Sequence, residues 1–553
     1  MKTPSLPRGA WFVGIKGTGM SALAELYLRQ GVAVAGSDTA DVFYTDAILR
    51  ELGIPYREGF DPANIPAGTE LVVHSAAYSP RTNSELAAAL ERGIPLLKYS
   101  EALGAYSAGF DSSGIAGVHG KTTTTALAGV LARAAGLDAQ VLAGSAVGAF
   151  GGRSTLWLGS RFFIAETCEY RRHFLDFHPR RIVLTSVQSD HQDYYPTYES
   201  ILEAFIEYCL LLPEGGELIY CADDPGAVSA AEAAASRKSI TLTPYGFSAS
   251  GPFRIEGYTV PPAGGEGRFT LSGYPCSFRL KMPGRHIALD AAAALALTAS
   301  LSRAQGIALL PEALAAALAA FTGSKRRSEI LGEAGGVLFM DDYGHHPEAI
   351  RATLEGLAAF YPGRRLVVSF MSHTYTRTAA LLDGFAAAFD AAQVVILHKI
   401  YASAREVYEG GVNGRTLYER VGARSRAWGE AAVKGSGRGA RDGIGTWGRG
   451  AQGEAAAQGG EGAARGAGEA AAGEGASVEQ GEGRRVFYVE EPLDAVSLCE
   501  DILRPGDLFV TMGAGDNWKL GEKLFARRKA SIPNSQVPSP KTQVPSPKTG
   551  SLP

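Results

Sequence analysis

Gly117-Val118-His119-Gly120-Lys121-Thr122, written G-V-H-G-K-T and followed by Thr123, Thr124 and Thr125, decides how this chain folds. It comes after the short apolar run Gly114-Ile115-Ala116 and before a helical pattern from Ala126 to Ala135, so it reads as strand, glycine turn, helix. In that arrangement the backbone N–H groups opening the helix cradle phosphate oxygens. The longer phosphate loop, G-x-x-x-x-G-K-[ST], would need glycine at Ile115 and does not match. The shorter form keeps the working parts: Gly117 and Gly120 let the backbone approach anionic oxygens, Lys121 meets the outer phosphates, and the Thr122 hydroxyl suits Mg²⁺. An ATP-consuming enzyme follows, with Gly117, Val118, His119, Gly120, Lys121, Thr122 and Thr123 as the nucleotide-binding set. The plain alternative is a helix start carrying a solvated lysine.

Toward the N-terminus, apolar runs alternate with helical patterns: 11–13, 32–35, 71–75 and 95–97 as strands, 20–30, 46–52 and 84–92 as helices. A βαβ series of this kind predicts a parallel sheet. Its first turn, Gly14-Ile15-Lys16-Gly17-Thr18-Gly19-Met20-Ser21, contains Gly17-x-Gly19-x-x-Ala22, the dinucleotide fingerprint with alanine in third place. Asp38 stands nineteen residues beyond Gly19, where an acidic residue meets a ribose. An NAD-dependent oxidoreductase would use this loop. A nucleotide diphosphate-sugar would use it equally well, because a helix N-terminus reports a pyrophosphate rather than its owner.

Downstream, a strand at 162–165 ends in Glu166, and another at 182–185 leads to Asp190-His191-x-Asp193. Ligands gather at the carboxyl ends of strands in open α/β sheets. A third unit begins near Gly323 with Lys325-Arg326-Arg327, continues to a strand ending at Asp341-Asp342, and alternates through 366–370, 394–397, 486–490 and 508–512. From about 425 to 484 the chain turns to Gly, Ala, Glu, Gln and Arg, too poor in apolar surface to offset its chain entropy, which predicts a disordered insertion. The tail repeats Q-V-P-S-P-K-T at 536–542 and 543–549, an extended, exposed pattern. The expected units are 1–108, 109–322, 323–530 and a disordered tail, 531–553.

Composition agrees with an enzyme of several cores. The 553 residues are 46% hydrophobic, enough for three or four units at about 150 residues each. A net charge of −4 gives no reason to expect nucleic-acid or membrane-surface binding. Five cysteines without CxxC spacing fit reduced thiols rather than a disulfide frame or a zinc site. Pro4 and Pro7 interrupt the N-terminus where a signal peptide needs an apolar run, and no eighteen-residue apolar stretch stands out later. The expectation is a cytoplasmic protein without membrane insertion.

Three more segments narrow the reading: Glu166 to Phe174 (E-T-C-E-Y-R-R-H-F), Asp341 to Pro347 (D-D-Y-G-H-H-P) and Ser372 to Thr378 (S-H-T-Y-T-R-T). With the two glycine turns, in this order, they resemble the Mur ligases of peptidoglycan synthesis. The resemblance runs from about 11 to 524, outside the low-complexity stretch. It implies three α/β domains: a Rossmann-like domain for a UDP substrate, a central ATPase domain with a mixed sheet, and a Rossmann-like C-terminal domain for the amino acid. It is nearest to the member that joins L-alanine to the lactyl carboxylate of UDP-N-acetylmuramate through an acyl phosphate, with ATP and Mg²⁺, as a monomer or weak homodimer.

The resemblance implies roles as well. Lys121 would steady the transferring phosphoryl group, and Thr122, Glu166 and His191 would hold metal. Gly14, Gly17, Thr18, Gly19, Met20, Ser21 and Asp38 would meet the UDP substrate. Arg326 and Asp342 would reach ATP, while Arg172, His345, His346, His373 and Arg377 would border substrate or amino acid. Lys325 and Arg327 lie beside Arg326 and would reach the phosphates from the same side. His373 and Arg377, four apart, would share one face if the segment is helical. Read on its residues alone, beside Asp190 and Asp193, His191 is a hydrogen-bonded surface histidine sooner than a metal ligand. The chain departs from the family pattern at Ile287 and Asp290, where H-N-V-x-N carries asparagines, and at Ser186, Gln188, Ser372 and the glycine-rich 144–152.

Overall fold

The computed structural model describes residues 6–402, 406, 408, 410–435, 478, 479 and 484–531. Upstream of the phosphate loop lie β1 (Gly9–Val13), β2 (Ala33–Asp38), β3 (Tyr56–Glu58), β4 (Leu71–His74) and β5 (Leu96–Lys98), with α1 (Thr18–Arg29), α2 (Thr45–Glu51), α3 (Ser84–Glu91) and α4 (Tyr99–Ser107). Every pair is parallel, in the order β3-β2-β1-β4-β5, so the crossover reverses between β1 and β4. That reversal opens a crevice at the strand carboxyl ends. β3, with the sequence Tyr-Arg-Glu, has no apolar pattern to announce it; it is a short edge strand held by its pairing to Gly36–Asp38.

The central domain carries β6 (Asp111–Ala116), β7 (Ala139–Val147), β8 (Arg153–Trp157), β9 (Phe162–Glu166), β10 (Arg181–Leu184), β11 (Glu217–Cys221) and β12 (Thr241–Tyr245), in the order β12-β11-β10-β6-β9-β7-β8. β8 runs antiparallel and the others parallel, the mixed sheet expected. Around it pack α5 (Lys121–Ala135), α6 (Tyr198–Cys209) and α7 (Pro225–Arg237). A three-stranded antiparallel sheet, β13 (Ile255–Thr259), β14 (Gly267–Leu271) and β15 (Ser277–Leu280), leads into α8 (Arg285–Gln305) and α9 (Pro311–Ala320). Gly114 sits inside β6 because a Cβ there would fall 2.0 Å from the Tyr208 hydroxyl of α6.

The expectation that no long apolar stretch exists needs correction. α8 is long and apolar enough to cross a membrane by length and composition, yet 78% of its apolar window is buried inside the fold, where it packs on α5. Its alanines permit that close helix contact, so its hydropathy belongs to the core.

The C-terminal sheet is ordered β16-β17-β22-β18-β19-β21-β20. Its strands are β16 (Glu329–Ala334), β17 (Val337–Asp342), β18 (Arg365–Met371), β19 (Val394–Leu397), β20 (Val478–Glu479), β21 (Arg485–Tyr488) and β22 (Asp507–Gly513), antiparallel at β16 and β20 and parallel between. The helices are α10 (Pro347–Phe360), α11 (Tyr375–Ala380), α12 (Leu382–Ala388), α13 (Gly414–Gly435), α14 (Val496–Ile502) and α15 (Asn517–Ala530). Two stretches at the edges of the expected insertion, about 425–484, are described. α13 continues to Gly435, anchored by buried Leu417, Tyr418 and Val421, and Arg484 is buried, donating to the Ala392 carbonyl and to Asp390. The rest of the low-complexity stretch, 436–477 and 480–483, and the repeated tail from 532 onward lie outside the described residues.

One continuous apolar core runs from Ala10 to Phe321 and serves the first two domains together, whereas two separate cores cover the two faces of the C-terminal sheet. Glu25 of α1, buried, accepts from Arg29, from Arg153 and, in a short contact, from the Thr155 hydroxyl of β8, tying the first domain to the second.

Candidate active site

The phosphate loop takes its shape from two left-handed glycines. Gly117 has φ +141° and Gly120 φ +79°, and a Cβ on Gly117 would lie 2.0 Å from the Thr185 hydroxyl. The loop is held from the end of β10: Val118 N–H donates to the Ser186 carbonyl (3.0 Å), His119 N–H to the Ser186 hydroxyl (2.9 Å), and the Thr185 hydroxyl to the His119 carbonyl (2.5 Å). Gln188 reaches the His119 ring (3.2 Å) and donates to Asp224 (3.3 Å). Ser186 and Gln188, departures from the family pattern, therefore brace the loop.

Lys121 opens α5 and donates to the Gly117 carbonyl (2.5 Å) and to Glu169 (2.8 Å). Burial alone would lower the Lys121 ammonium, but Glu169 beside it, with Glu166 close by, turns the shift upward. Burial likewise works against the Glu169 carboxylate, and Lys121 with His191 carries it below the ordinary range. Thr122 donates to Glu166 at 2.8 Å, and the Gly144 N–H donates to the same oxygen at 2.9 Å, so the glycine-rich 144–152 begins as a close backbone approach to that carboxylate.

His191, in a left-handed turn with φ 54°, sets Nε2 3.3 Å from Glu169. Its neighbour Asp190 is paired by Arg377 of α11 through contacts of 2.8 and 2.7 Å, both side chains 4% exposed. Burial pushes the Asp190 carboxyl up and the Arg377 guanidinium outweighs it, holding the group well below the carboxylate range. The helix expected over His373 to Arg377 is corrected: α11 starts at Tyr375, after Thr374 at φ 68°, and His373 bridges to Tyr401 instead. The two still meet, Arg377 donating to His373 Nδ1 at 3.2 Å.

A cavity of about 330 Å³ gathers the phosphate loop with Glu166, Thr185, Ser186 and Gln188, while Glu169, Asp190, His191, His373 and Arg377 are not among its lining residues. Its central-domain walls include Val118 to Thr123, Glu166 and Asp290, and the C-terminal domain closes it with Asp342, His345 and His346. Asp342 accepts from Ser328 N–H (2.7 Å) and Gly344 N–H (2.6 Å), which fixes the loop after β17. Burial lowers His119 to about 3 and His345 and His346 below their usual value, so these rings are neutral. Of the expected arginines, Arg326 donates to Asp341 (2.8 Å) and to the Gly513 carbonyl (3.0 Å), while Arg327 lines the cavity.

A second cavity, about 540 Å³, lies between the first two domains, lined by His74, Tyr78, Lys98, Arg171, Arg172 and His173 among others. Arg171 and Arg172 stand at φ 52° and 61°, and Arg172 pairs with Glu207. The Gly14–Ser21 loop borders it through Tyr78, whose ring would be 3.0 Å from a Cβ on Gly14. In that loop Gly17 caps α1, a Cβ on Gly19 would strike Tyr99 at 2.9 Å, Met20 is buried, Ser21 donates to the Thr18 carbonyl (3.1 Å), and Thr18 accepts from Tyr44 (2.9 Å). Asp38 is spent on the loop itself, accepting from Lys16 N–H at 2.6 Å. Sequence reasoning missed His74, Tyr78 and Lys98; the signal was their position at or just past the carboxyl ends of β4 and β5.

The residues present fit a magnesium nucleotide. Lys121 would meet phosphate, Thr122 and Glu166 are hard oxygen donors 2.8 Å apart, and Mg²⁺ needs only one or two protein ligands when phosphates complete its shell. Two buried ring nitrogens at this cavity, His286 Nδ1 and His346 Nε2, have no hydrogen-bond partner among the described residues. Among the described residues no cluster of three His, Cys, Asp or Glu makes a metal cage, so the Thr122–Glu166 pair would act with the nucleotide.

Three family descriptions match in order: Mur ligase family, catalytic domain, over 11–111; Mur ligase middle domain over 115–298; and Mur ligase, glutamate ligase domain, over 326–440. The UDP-N-acetylmuramate--L-alanine ligase of Treponema pallidum (strain Nichols) is 47% identical over 541 residues, 96% of this chain and 100% of the relative. That of Borreliella burgdorferi is 33% identical, covering 93% of this chain and 98% of the relative. Among solved structures, UDP-N-acetylmuramate-alanine ligase from Thermotoga maritima superposes with a TM-score of 0.66 at 20% identity, over 95% of this chain and 100% of that one. A murein peptide ligase from Psychrobacter arcticus gives 0.57 at 20%, over 95% and 99%. With two glycine loops, a braced lysine and a cavity closed by its third domain, the chain belongs to the Mur ligase family.

Proposed function

We propose that this protein joins L-alanine to the lactyl carboxylate of UDP-N-acetylmuramate in peptidoglycan precursor synthesis, consuming ATP and releasing ADP and phosphate. The observation that carries this reading is the first cavity: a phosphate loop with Lys121, Thr122 and Glu166 on one wall and Asp342, His345 and His346 from another domain on the other. The names of its full-length relatives supply the substrates.

Lys121 leaves its resting partner Glu169 for the transferring phosphoryl group and offsets its charge, because a carboxylate will not approach a triphosphate without cations between. Thr122 and Glu166 would hold Mg²⁺, which would supply further positive charge there. His191 and Glu169 border the acceptor carboxylate as it becomes an acyl phosphate. Arg377 and His373 bring the amino acid's side of the site against it, and the amine then displaces phosphate. The diphosphate-sugar occupies the second cavity, where His74, Lys98, Arg171 and Arg172 face its anionic oxygens. The domain divisions near 108 and 322, and work in the cytoplasm as a monomer or weak homodimer, belong to the same reading.

The test is phosphate release from ATP and Mg²⁺ with UDP-N-acetylmuramate, with and without L-alanine. Release that needs both acceptors supports the reading; release indifferent to UDP-N-acetylmuramate, or preference for a tripeptide over L-alanine, overturns it.

A further inference from the structure

Asp290 is a buried carboxyl that none of the chemistry above uses. It lies on α8, is 7% exposed, and sets Oδ1 against the phosphate loop, 2.4 Å from where a Cβ on Gly120 would stand. Its one hydrogen-bond donor among the described residues is the Thr124 hydroxyl of α5, at 3.2 Å. That bond engages Oδ1, and Asp290 lines the nucleotide cavity. Among the described residues no cation pairs with it: Lys121 is held by Gly117 and Glu169, and Arg327 acts on it only through space. The other titratable groups on this cavity are Cys221, Asp223, Asp224 and Tyr245 beyond β11 and β12, His286 on its own helix, His119 and Glu166, and Asp342, His345, His346 and Glu348 from the C-terminal domain.

A carboxylate here is unfavourable twice over. It is buried with only a neutral hydroxyl for company, and it adjoins a loop built for an anion. Burial raises its pKa to about 7, against the pull of Thr124 and Arg327.

We propose that Asp290 positions the nucleotide as a neutral carboxylic acid, accepting from Thr124 at Oδ1 and donating its proton from Oδ2 to an acceptor atom of the bound nucleotide. Losing that proton turns the donor into a second anion beside the phosphates, and nucleotide affinity falls. An asparagine, as the family pattern carries, keeps the donor and acceptor at every pH. The inference rests on the ATP-dependent reading above.

The experiment titrates ATP with Mg²⁺ against the full chain by calorimetry between pH 6 and 9, and measures KM for ATP with the other substrates saturating. It compares the native chain, Asp290→Asn and Thr124→Val. The native Kd should rise above about pH 7, approaching tenfold per unit, with the change in KM rather than kcat. Asp290→Asn should lack that rise. Thr124→Val, which removes the donor favouring the carboxylate, should move its onset to higher pH. ATP's own phosphate titrates near pH 6 in all three, so the difference between proteins is what is read. The same slope in native and Asp290→Asn protein, or an onset in Thr124→Val that stays put or moves lower, overturns the proposal; if Asp290→Asn does not fold, Thr124→Val decides alone. Phosphate release that ignores UDP-N-acetylmuramate would sink the ligase reading while leaving the ATP titration to judge Asp290.

Discussion

At the scale of single residues the proposed chemistry rests on Lys121 and Arg377, each held by a buried acid. Lys121→Ala removes the phosphate-loop cation and leaves Glu169 without its partner, so phosphate release should fall at least about 100-fold, with a lower melting temperature as well. Near-native release from a folded Lys121→Ala chain would contradict the role given to it. Arg377→Ala strips a 4% exposed guanidinium from a 4% exposed carboxylate. Breaking such a pair costs about 3–5 kcal/mol, because the remaining charge is stranded. As this pair joins the central and C-terminal domains, the loss should appear as faster limited proteolysis between them; an unchanged cleavage pattern would argue that the pair does not hold the domains together. Both residues and their acidic partners lie in motifs legible in the sequence, but the pairings do not: Glu169 is 48 residues from Lys121 and Asp190 is 187 residues from Arg377.

At the scale of elements, the strand-turn-helix units were legible because glycine positions and apolar runs are local signals. Gly120→Ala tests the tightest of them. It forces a Cβ to within 2.4 Å of Asp290 Oδ1 at φ +79°, so the start of α5 must shift. A left-handed non-glycine residue alone costs about 1–2 kcal/mol, and ATP affinity should drop about tenfold or more through the displaced N–H groups. Urea unfolding and ATP titration check the two parts, and native ATP affinity in Gly120→Ala would show that the loop tolerates the shift. The failures were elements whose cause is not local. β3 exists by pairing with β2, α13 outruns its apolar face, and His373 lies outside the helix that spacing suggested.

For the whole molecule, buried histidines predict how stability follows pH. His119 is lowered to about 3 and His398 to about 4, and His286, His345 and His346 are lowered too, in each case chiefly by burial. The unfolded chain protonates them near pH 6.5 and the folded chain does not, so stability present above that pH is lost as it falls, at up to about 1.4 kcal/mol per unit for each. Asp224, Asp290 and Asp341, raised by burial, act in the opposite sense but are fewer. The melting temperature should therefore fall between pH 7 and pH 5; a flat or rising course would mean that these rings are protonated in the folded protein.

By itself the sequence determined the α/β class, the order of the units, both glycine loops and most of the first cavity's chemistry, because phosphate loops and βαβ repeats are written in contiguous residues. Tertiary structure alone decided the rest: Ser186 and Gln188 bracing the loop, Arg327 rather than Arg326 at the cavity, His74 and Lys98 beside Arg171, and Asp290 under Gly120. These are contacts between segments far apart in the chain, and which side chains meet across them depends on how helices and sheets pack, which no local pattern records.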